Sequence, residues 1–538
     1  MFCYQCEETA RGTGCTVKGI CGKEDHTAGL QDVLIYLCKG ISVRNIAARA
    51  KGAENKDAGV FITEALFATL TNTNFDDERL KALITQAIAI RDALPKAGEN
   101  EPDACIWTPK SDADIAAKAR EIAELANVND DVHSLRALVV FGLKGVAAYY
   151  HHAEMLGFTD EAITDYMQKG LASTLQDIPV DAMIAMVLEC GEIGVQTLAL
   201  LDTANTKTYG DPEITSVKTT VGTNPGILIT GHDLRDMEQL LEQSKDSGVD
   251  IYTHGEMLPA HAYPAFKKYT HLIGNYGSSW WHQKEEFDTF HGPILVTTNC
   301  IVPPRDSYIG RVYTTGPAGY PGITYIPKKA DGSKDFSAII DHAKKCQPPE
   351  PAKTNGRDLI TGCAHEAVLA LAGTVIDAVK KGDIKKFVVM AGCDGRQSER
   401  QYYTDFAQAL PKDTVILTAG CAKYRYNSLD LGDIGGIPRV IDAGQCNDCY
   451  SLVVIAKALA EAFGVGINEL PVVFNIAWYE QKAVLVLLAL LSLGIKNITL
   501  GPKLPGFVSP GVLNVLVENF NIRKNSTVEE DMKRMVLA

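Results

Sequence analysis

Eleven residues of this 538-residue chain have the types and spacing that metal chemistry uses. The first four are Cys3, Cys6, Cys15 and Cys21, a C-x2-C-x8-C-x5-C pattern within nineteen residues. Four thiolates so close can wrap one metal centre. The intervening Gly12, Gly14 and Gly19, with Gly22 just after, allow tight turns and leave room for amide hydrogen bonds to sulfur. Four sulfur ligands imply zinc or an iron–sulfur cluster. Structural zinc usually takes two close cysteine pairs, and here only the first pair is tight, so the spacing favours iron–sulfur over zinc or disulfides. It leaves [4Fe–4S] and [2Fe–2S] open.

The other seven are dispersed, each just after a short apolar run. His232 follows GILIT, Glu256 follows DIYTHG and Cys300 follows ILVTTN. Cys393 follows FVVMAG, Cys421 follows VILTAG, Cys446 follows RVIDAGQ and Glu480 follows PVVFNIAWY, with Lys482 two residues on. Ligands of open α/β sheets bind outside the carboxyl ends of the strands. Seven consecutive strand ends bearing a metal-type side chain exceed what chance supplies. The thiolates favour a soft centre. One imidazole and two carboxylates add harder ligands, suited to more oxidised or oxygen-bridged iron with unequal sites, one of them open to a small molecule.

Taken singly, these residues have plainer readings. A cysteine after a strand is usually core, Glu480 a capping carboxylate and Lys482 a surface lysine; the joint pattern argues otherwise. The role expected of Lys482 is an ammonium beside the substrate site, donating a proton or pairing with Glu480. In the local pair Cys446 and Cys449, Cys446 is assigned to the cluster. Cys449 is placed at a helix N-terminus, where a thiolate is favoured. Cys38, Cys105, Cys190, Cys346 and Cys363 read as core or surface, and His254 and His261 as structural histidines. The pairs His151–His152 and Trp280–Trp281 carry no readable mechanism.

The elements that must position these residues change along the chain. Gln31–Ala50, Asp77–Leu94, Asp112–Ala126, Asp131–Leu156 and Val180–Leu201 carry apolar residues at helical spacing. A polar stretch, Thr203–Pro225, breaks that pattern, and Pro and Gly break the chain again at Cys346–Arg357. Between and beyond these breaks, short β-branched runs alternate with helical ones. The expected fold is multidomain α and α/β: a helical-bundle domain (1–213) with the cysteine motif, then two doubly wound parallel-sheet domains (214–350 and 351–538).

Composition excludes several classes. The formal charge of −14 with no basic block disfavours nucleic acid and anionic membranes. The most apolar run, Ala483–Ile495, is too short to span a bilayer and reads as a buried helix. Charges and cysteines follow Met1 directly, so a reducing, cytoplasmic setting is expected. Neither a G-x-x-x-x-G-K-[ST] loop nor a convincing G-x-G-x-x-G follows a strand. Electrons are therefore expected from another protein, not from a bound nicotinamide.

These motifs together (the N-terminal cysteines, TGHDL, THGEMLPAH, TTNC, AGCDGR, TAGCAKYRYN, AGQCND and WYEQKA) resemble the hybrid cluster proteins, also called prismane proteins or hydroxylamine reductases, over the full length. The resemblance implies a helical domain and two Rossmann-like domains related to those of nickel–iron carbon monoxide dehydrogenases. It implies a [4Fe–4S] cluster on Cys3, Cys6, Cys15 and Cys21. A hybrid [4Fe–2S–2O]-type cluster is implied where the domains meet, held by His232, Glu256, Cys300, Cys393, Cys421, Cys446 and Glu480. It further implies a persulfide at Cys393 and an active-site role for Lys482. The expected activity is reduction of hydroxylamine to ammonia and water, or of nitric oxide to nitrous oxide, with electrons from an external donor protein entering at the N-terminal cluster. Glu480, Lys482 and His232 are the proton-handling candidates. The alternatives are a nitric-oxide-responsive redox sensor or S-nitrosylating factor, with Cys393 or Cys449 as relay, and a carbon monoxide dehydrogenase. The last would be expected to carry further N-terminal cysteines and nickel.

Overall fold

The computed structural model describes residues 1–124, 129–354 and 356–537. Helices dominate up to Tyr209: α1 (Asp25–Arg49), α2 (Lys56–Ala68), α3 (Asp77–Ala93), α4 (Asp112–Glu124), α5 (Asp130–Met155), α6 (Glu161–Ser173) and α7 (Val180–Tyr209). Side-chain caps start several of them. Asn55, Asp76, Asn129 and Asp160 each accept a hydrogen bond from an otherwise unpaired first-turn amide. Residues 125 and 126 of the helix expected over Asp112–Ala126 lie outside the described residues.

The polar stretch expected from Thr203 does not end α7, which continues to Tyr209. Tertiary contact explains the extension. Ala204, Asn205 and Tyr209 are buried, and the Tyr209 ring lies 4.8 Å from that of Phe266. Both α5 and α7 are long and apolar enough to cross a membrane by length and composition, but 78% and 50% of their apolar windows are buried inside the protein.

Two six-stranded sheets follow, with every neighbouring pair parallel. The first holds β1 (Gly226–Thr230), β2 (Asp250–Thr253), β3 (Leu272–Asn275), β4 (Ile294–Val296), β5 (Val312–Thr315) and β6 (Thr324–Ile326). The second holds β7 (Lys386–Val389), β8 (Thr414–Thr418), β9 (Val440–Asp442), β10 (Val472–Ala477), β11 (Ile498–Gly501) and β12 (Arg523–Lys524). Their spatial orders are β3-β2-β1-β4-β5-β6 and β9-β8-β7-β10-β11-β12. Both are the doubly wound order whose crevice opens where the strand order reverses, beside β1 and β4 and beside β7 and β10. The central strands are buried along their length, as sheets covered on both faces require.

The apolar run near Ala483 forms helix α8 (Gln481–Ser492), which is buried. It enters the helical region, between α5 and α7. Glycines on those helices admit it. A Cβ on Gly191 would meet the Leu488 carbonyl oxygen at 2.1 Å, and one on Gly145 would meet the Gln481 carbonyl oxygen at 2.8 Å. Helix propensity alone would favour alanine over glycine by about 1 kcal/mol. Here the sign should reverse: Gly191→Ala is expected to destabilise by roughly 1–3 kcal/mol, as overpacking against backbone does. Gly373→Ala, in the open, is expected to be neutral or stabilising. Guanidinium unfolding midpoints of the two variants check the contrast.

Candidate metal centres between the sheets and the helices

The seven dispersed donors do not come from consecutive strands, as the sequence suggested, because β3, β5 and β6 intervene without contributing one. They come instead from strands that are neighbours in space. His232, Glu256 and Cys300 follow β1, β2 and β4; Cys393, Cys421, Cys446 and Glu480 follow β7, β8, β9 and β10. Both groups therefore sit at strand-order reversals. Glycines let these strand ends converge. Gly392, at φ +110°, has the Ala477 carbonyl oxygen where a Cβ would be, and Gly420, at φ +87°, has that of Gly392.

One cavity of about 110 Å³ is lined by all seven donors and by Lys482. One ligand atom each from His232, Glu256 and Cys446 lies within 4.8 Å of the others. Thr298 Oγ1 holds His232 Nδ1 at 2.9 Å, which leaves Nε2 facing the cavity. Burial, then the Lys482 ammonium, pushes the His232 imidazolium well below its usual range, so the ring is neutral, as a ligand must be. Glu256 Oε2 accepts from the Cys446 amide at 2.8 Å, whereas Glu256 Oε1 is buried without a hydrogen-bond partner. The Cys421 sulfur accepts from the Asp394 amide at 3.1 Å.

Lys482 stands at the centre of the polar wall. Its Nζ donates to Asn299 Oδ1 at 3.0 Å and lies 3.0 Å from His232 Nε2 and 3.6 Å from Glu480 Oε1. Burial alone would favour its neutral form. Its acidic neighbours Cys446, Glu480, Cys300 and Glu256 outweigh that and raise its pKa, so Lys482 is an ammonium. Glu480 caps α8, its Oε2 accepting from the Lys482 amide at 2.7 Å, and its Oε1 accepts from Asn299 Nδ2 at 3.3 Å. The carboxylate is thus both a cap and a cavity group.

The chemistry of the donor set fits a bound metal cluster. Burial pushes the Cys300, Cys421 and Cys446 thiols well up and that of Cys393 up to about 12. Thiols so buried stay protonated on their own, and a coordinated metal supplies the positive charge that deprotonates them. All fourteen cysteines are free, so no disulfide competes. Cys449 departs from expectation. It does open a helix (Cys449–Phe463), but burial and then Asp448 push its thiol up to about 12, overriding the favourable helix end.

The N-terminal cysteines also come together. Cys3 and Cys15 exchange backbone hydrogen bonds of 3.0 and 2.8 Å. Burial raises the Cys6 thiol, and the nearby Cys21, Cys3 and Cys15 raise it further. This loop abuts the strand end that carries Glu480. Glu7 N–H donates to the Tyr479 carbonyl at 2.9 Å, and Tyr479 Oη donates to Glu8 Oε2 at 3.3 Å. The Tyr479 ring packs tilted against that of Trp280, which lines the cavity, with centroids 4.7 Å apart.

Comparison with known proteins places this architecture. The model of the prismane/CO dehydrogenase family matches residues 1–533. The chain belongs to the prismane/CO dehydrogenase family. Similar members of the prismane family include a hydroxylamine reductase of Methanosarcina mazei, 58% identical with 99% of each chain covered. Another is a hydroxylamine reductase of Nitratidesulfovibrio vulgaris, 57% identical with 100% of each covered. Among solved structures, carbon monoxide dehydrogenase IV from Carboxydothermus hydrogenoformans has a TM-score of 0.56 at 16% identity, covering 99% of this chain and 92% of the other. That of Thermococcus sp. AM4 has a TM-score of 0.55 at 18% identity, covering 99% and 91%. These two show that the prismane-family fold is shared with carbon monoxide dehydrogenases.

Sequence reasoning missed several residues of this candidate site. Thr298 and Asn299 fall inside the TTNC stretch but were given no role, and Tyr149 belongs to no motif. Trp280 and Trp281 lacked a mechanism in sequence. In the fold, Trp280 walls the cavity and Trp281 Nε1 donates to Asp394 at 2.8 Å. His254 and His261 are structural, as expected: His254 bridges Glu286 (2.8 Å) and Thr230 (3.0 Å), and His261 bonds Thr253 at 3.0 Å.

Proposed function

We propose that the chain is an iron–sulfur reductase that converts hydroxylamine to ammonia and water, the activity named for its relatives. His232, Glu256, Cys300, Cys393, Cys421, Cys446 and Glu480 would hold a hybrid iron–sulfur–oxygen cluster. Cys3, Cys6, Cys15 and Cys21 would hold a [4Fe–4S] cluster that takes electrons from an external donor protein. The observation that carries this reading is the single cavity lined by seven mixed donors and one buried ammonium.

When bound, the hybrid cluster supplies two electrons and an electrophilic iron beside the cavity. The overall change is NH2OH + 2 e⁻ + 2 H⁺ → NH3 + H2O. The protein residues handle its protons and position. Lys482 Nζ carries a proton at the cavity wall, where it can be given to the departing hydroxyl oxygen. Asn299 Oδ1 fixes that ammonium, and Glu480 Oε1 beside it is placed to return the proton. Thr298 keeps the His232 ring in one orientation.

A second reading, nitric oxide reduction, draws on another feature. The cavity is also lined by the apolar Leu452, Ala456, Leu459, Val486 and Leu490, and by the half-buried Val472 at the start of β10. An uncharged diatomic partitions into so apolar a lining better than a strongly hydrated molecule does. The nitrosylating alternative has less support, because Cys393 is buried and the Cys449 thiol is pushed up to about 12. Comparing kcat/KM for hydroxylamine and nitric oxide on one anaerobic preparation tests the proposal. Turnover of hydroxylamine is the expected outcome. A large preference for nitric oxide would make hydroxylamine a side substrate, and turnover of neither would overturn the reductase reading.

A further inference from the structure

Six lysines are buried among the described residues: Lys23, Lys118, Lys144, Lys334, Lys423 and Lys482. Four of them sit against carboxylates. Lys118 pairs with Asp103 and Glu121, Lys334 with Asp236, Lys423 with Asp442 and Lys482 with Glu480. Burial demands this, because an ammonium withdrawn from water without an opposite charge is costly. Lys23 and Lys144, 3% and 2% exposed, are the exceptions. Lys23 Nζ donates to Gln31 Oε1. Lys144 Nζ donates to Gln5 Oε1 at 2.8 Å and to the Thr69 carbonyl at 3.2 Å. All of these acceptors are neutral amides.

Both exceptions lie at one place. Lys23 is two residues beyond Cys21, and Cys3, Cys21 and Cys6 are the thiols around it. Lys144, on α5, grips the side chain of the residue preceding Cys6, and Cys3 faces it. The nearby acids are already engaged. Glu7 and Glu8 are tied to Arg400 and Arg396. Asp32, on α1, acts on both lysines but is shared with Lys39 and the amino terminus. The cysteine loop therefore rests on positive charge that the protein's carboxylates leave unbalanced.

We infer that Lys23 and Lys144 are the counter-charges of the N-terminal cluster, and that they raise its reduction potential by stabilising the negative charge that comes with an added electron. This rests on the proposed iron–sulfur cluster of Cys3, Cys6, Cys15 and Cys21. Four metal-bound thiolates bring the negative charge that the two ammoniums lack, and net charge is among the quantities that set the potential of such a cluster. Uptake of one electron breaks no bond here, and the positive charge that answers it is already in place. At the spacing of groups packed in one core, a unit charge shifts a one-electron equilibrium by about tenfold.

The test is a redox titration of the iron-loaded full-length protein with dithionite and mediator dyes, the N-terminal cluster being followed by electron paramagnetic resonance. Lys144→Met and Lys23→Gln should each keep that signal and make reduction about tenfold harder, a fall of about 59 mV in midpoint potential. Lys144→Arg, which retains the charge, should stay near wild type. The fall at the buried positions should be the same in dilute and in concentrated salt. The small effect of Lys18→Met, at an exposed lysine paired with Glu24, should vanish in concentrated salt. Should Lys144→Met fail to load iron, Lys23→Gln carries the same test. A potential unchanged by both substitutions would overturn the inference and leave the cluster reading intact. So would an equal fall in Lys144→Arg, which would mark an effect of packing instead of charge. Wild-type protein without iron at this centre would overturn the cluster reading and the inference together.

Discussion

Lys482→Met is expected to lower kcat for hydroxylamine by about 10²–10⁴-fold, the range over which a positioned proton donor acts. The substitution keeps most of the length of the side chain and removes its charge. In the native protein Nζ lies within 3.0 Å of both Asn299 Oδ1 and His232 Nε2 and 3.6 Å from Glu480 Oε1. Methionine restores none of these contacts, and it removes the cation that opposes the burial-raised pKa of Glu480 and, together with Lys423, that of Glu256. None of the seven proposed cluster ligands is touched, so iron content should stay near wild type. Loss of iron in step with loss of turnover would show that Lys482 assembles the site instead of serving the reaction. A kcat within threefold of wild type would remove it from proton transfer.

The second large effect is a dissociation of two functions. Cys421→Ser is expected to abolish turnover with any reductant, because its sulfur lies in the cavity wall with Cys393 and Glu256 among its neighbours. Cys6→Ser is expected to lose the N-terminal cluster and electron uptake from a protein donor. With a small-molecule reductant that reaches the second centre directly, it should keep most of its turnover. Iron analysis, electron paramagnetic resonance and assays with the two kinds of reductant separate the variants. If Cys6→Ser took electrons from the protein donor at the normal rate, the N-terminal cysteines would not be the entry point.

Much of this architecture was legible because parallel sheets place chemistry at the carboxyl ends of their strands. The strand limits of β2 and β8 coincide with apolar, β-branched runs, and the donors stand just beyond them. Other elements gave weaker signals. Strand β3 contains Gly274 and Asn275, and β6 is three residues long, so neither shows a clear run. Helix α2 presents apolar residues on most of its circumference and lacks a polar face, so its period is hidden. Asn299, Thr298 and Tyr149 were illegible for another reason. Their roles depend on contacts such as Lys482–Asn299 that join residues far apart in sequence. Only the fold creates those contacts, whereas cysteine spacing exists before folding.

Helix α8 has a consequence for how the chain is made. It fills the space between α5 and α7, yet it is synthesised only after the first sheet and most of the second. The early helices therefore leave the ribosome without the segment that completes their core, and their apolar faces must wait for it. A fragment ending near Tyr209 would expose that vacant groove and should aggregate instead of folding. Biosynthesis thus ties the three regions into one late event: the helix that closes the bundle begins at Glu480 and Lys482, so completing the core also delivers these two residues to the proposed metal site.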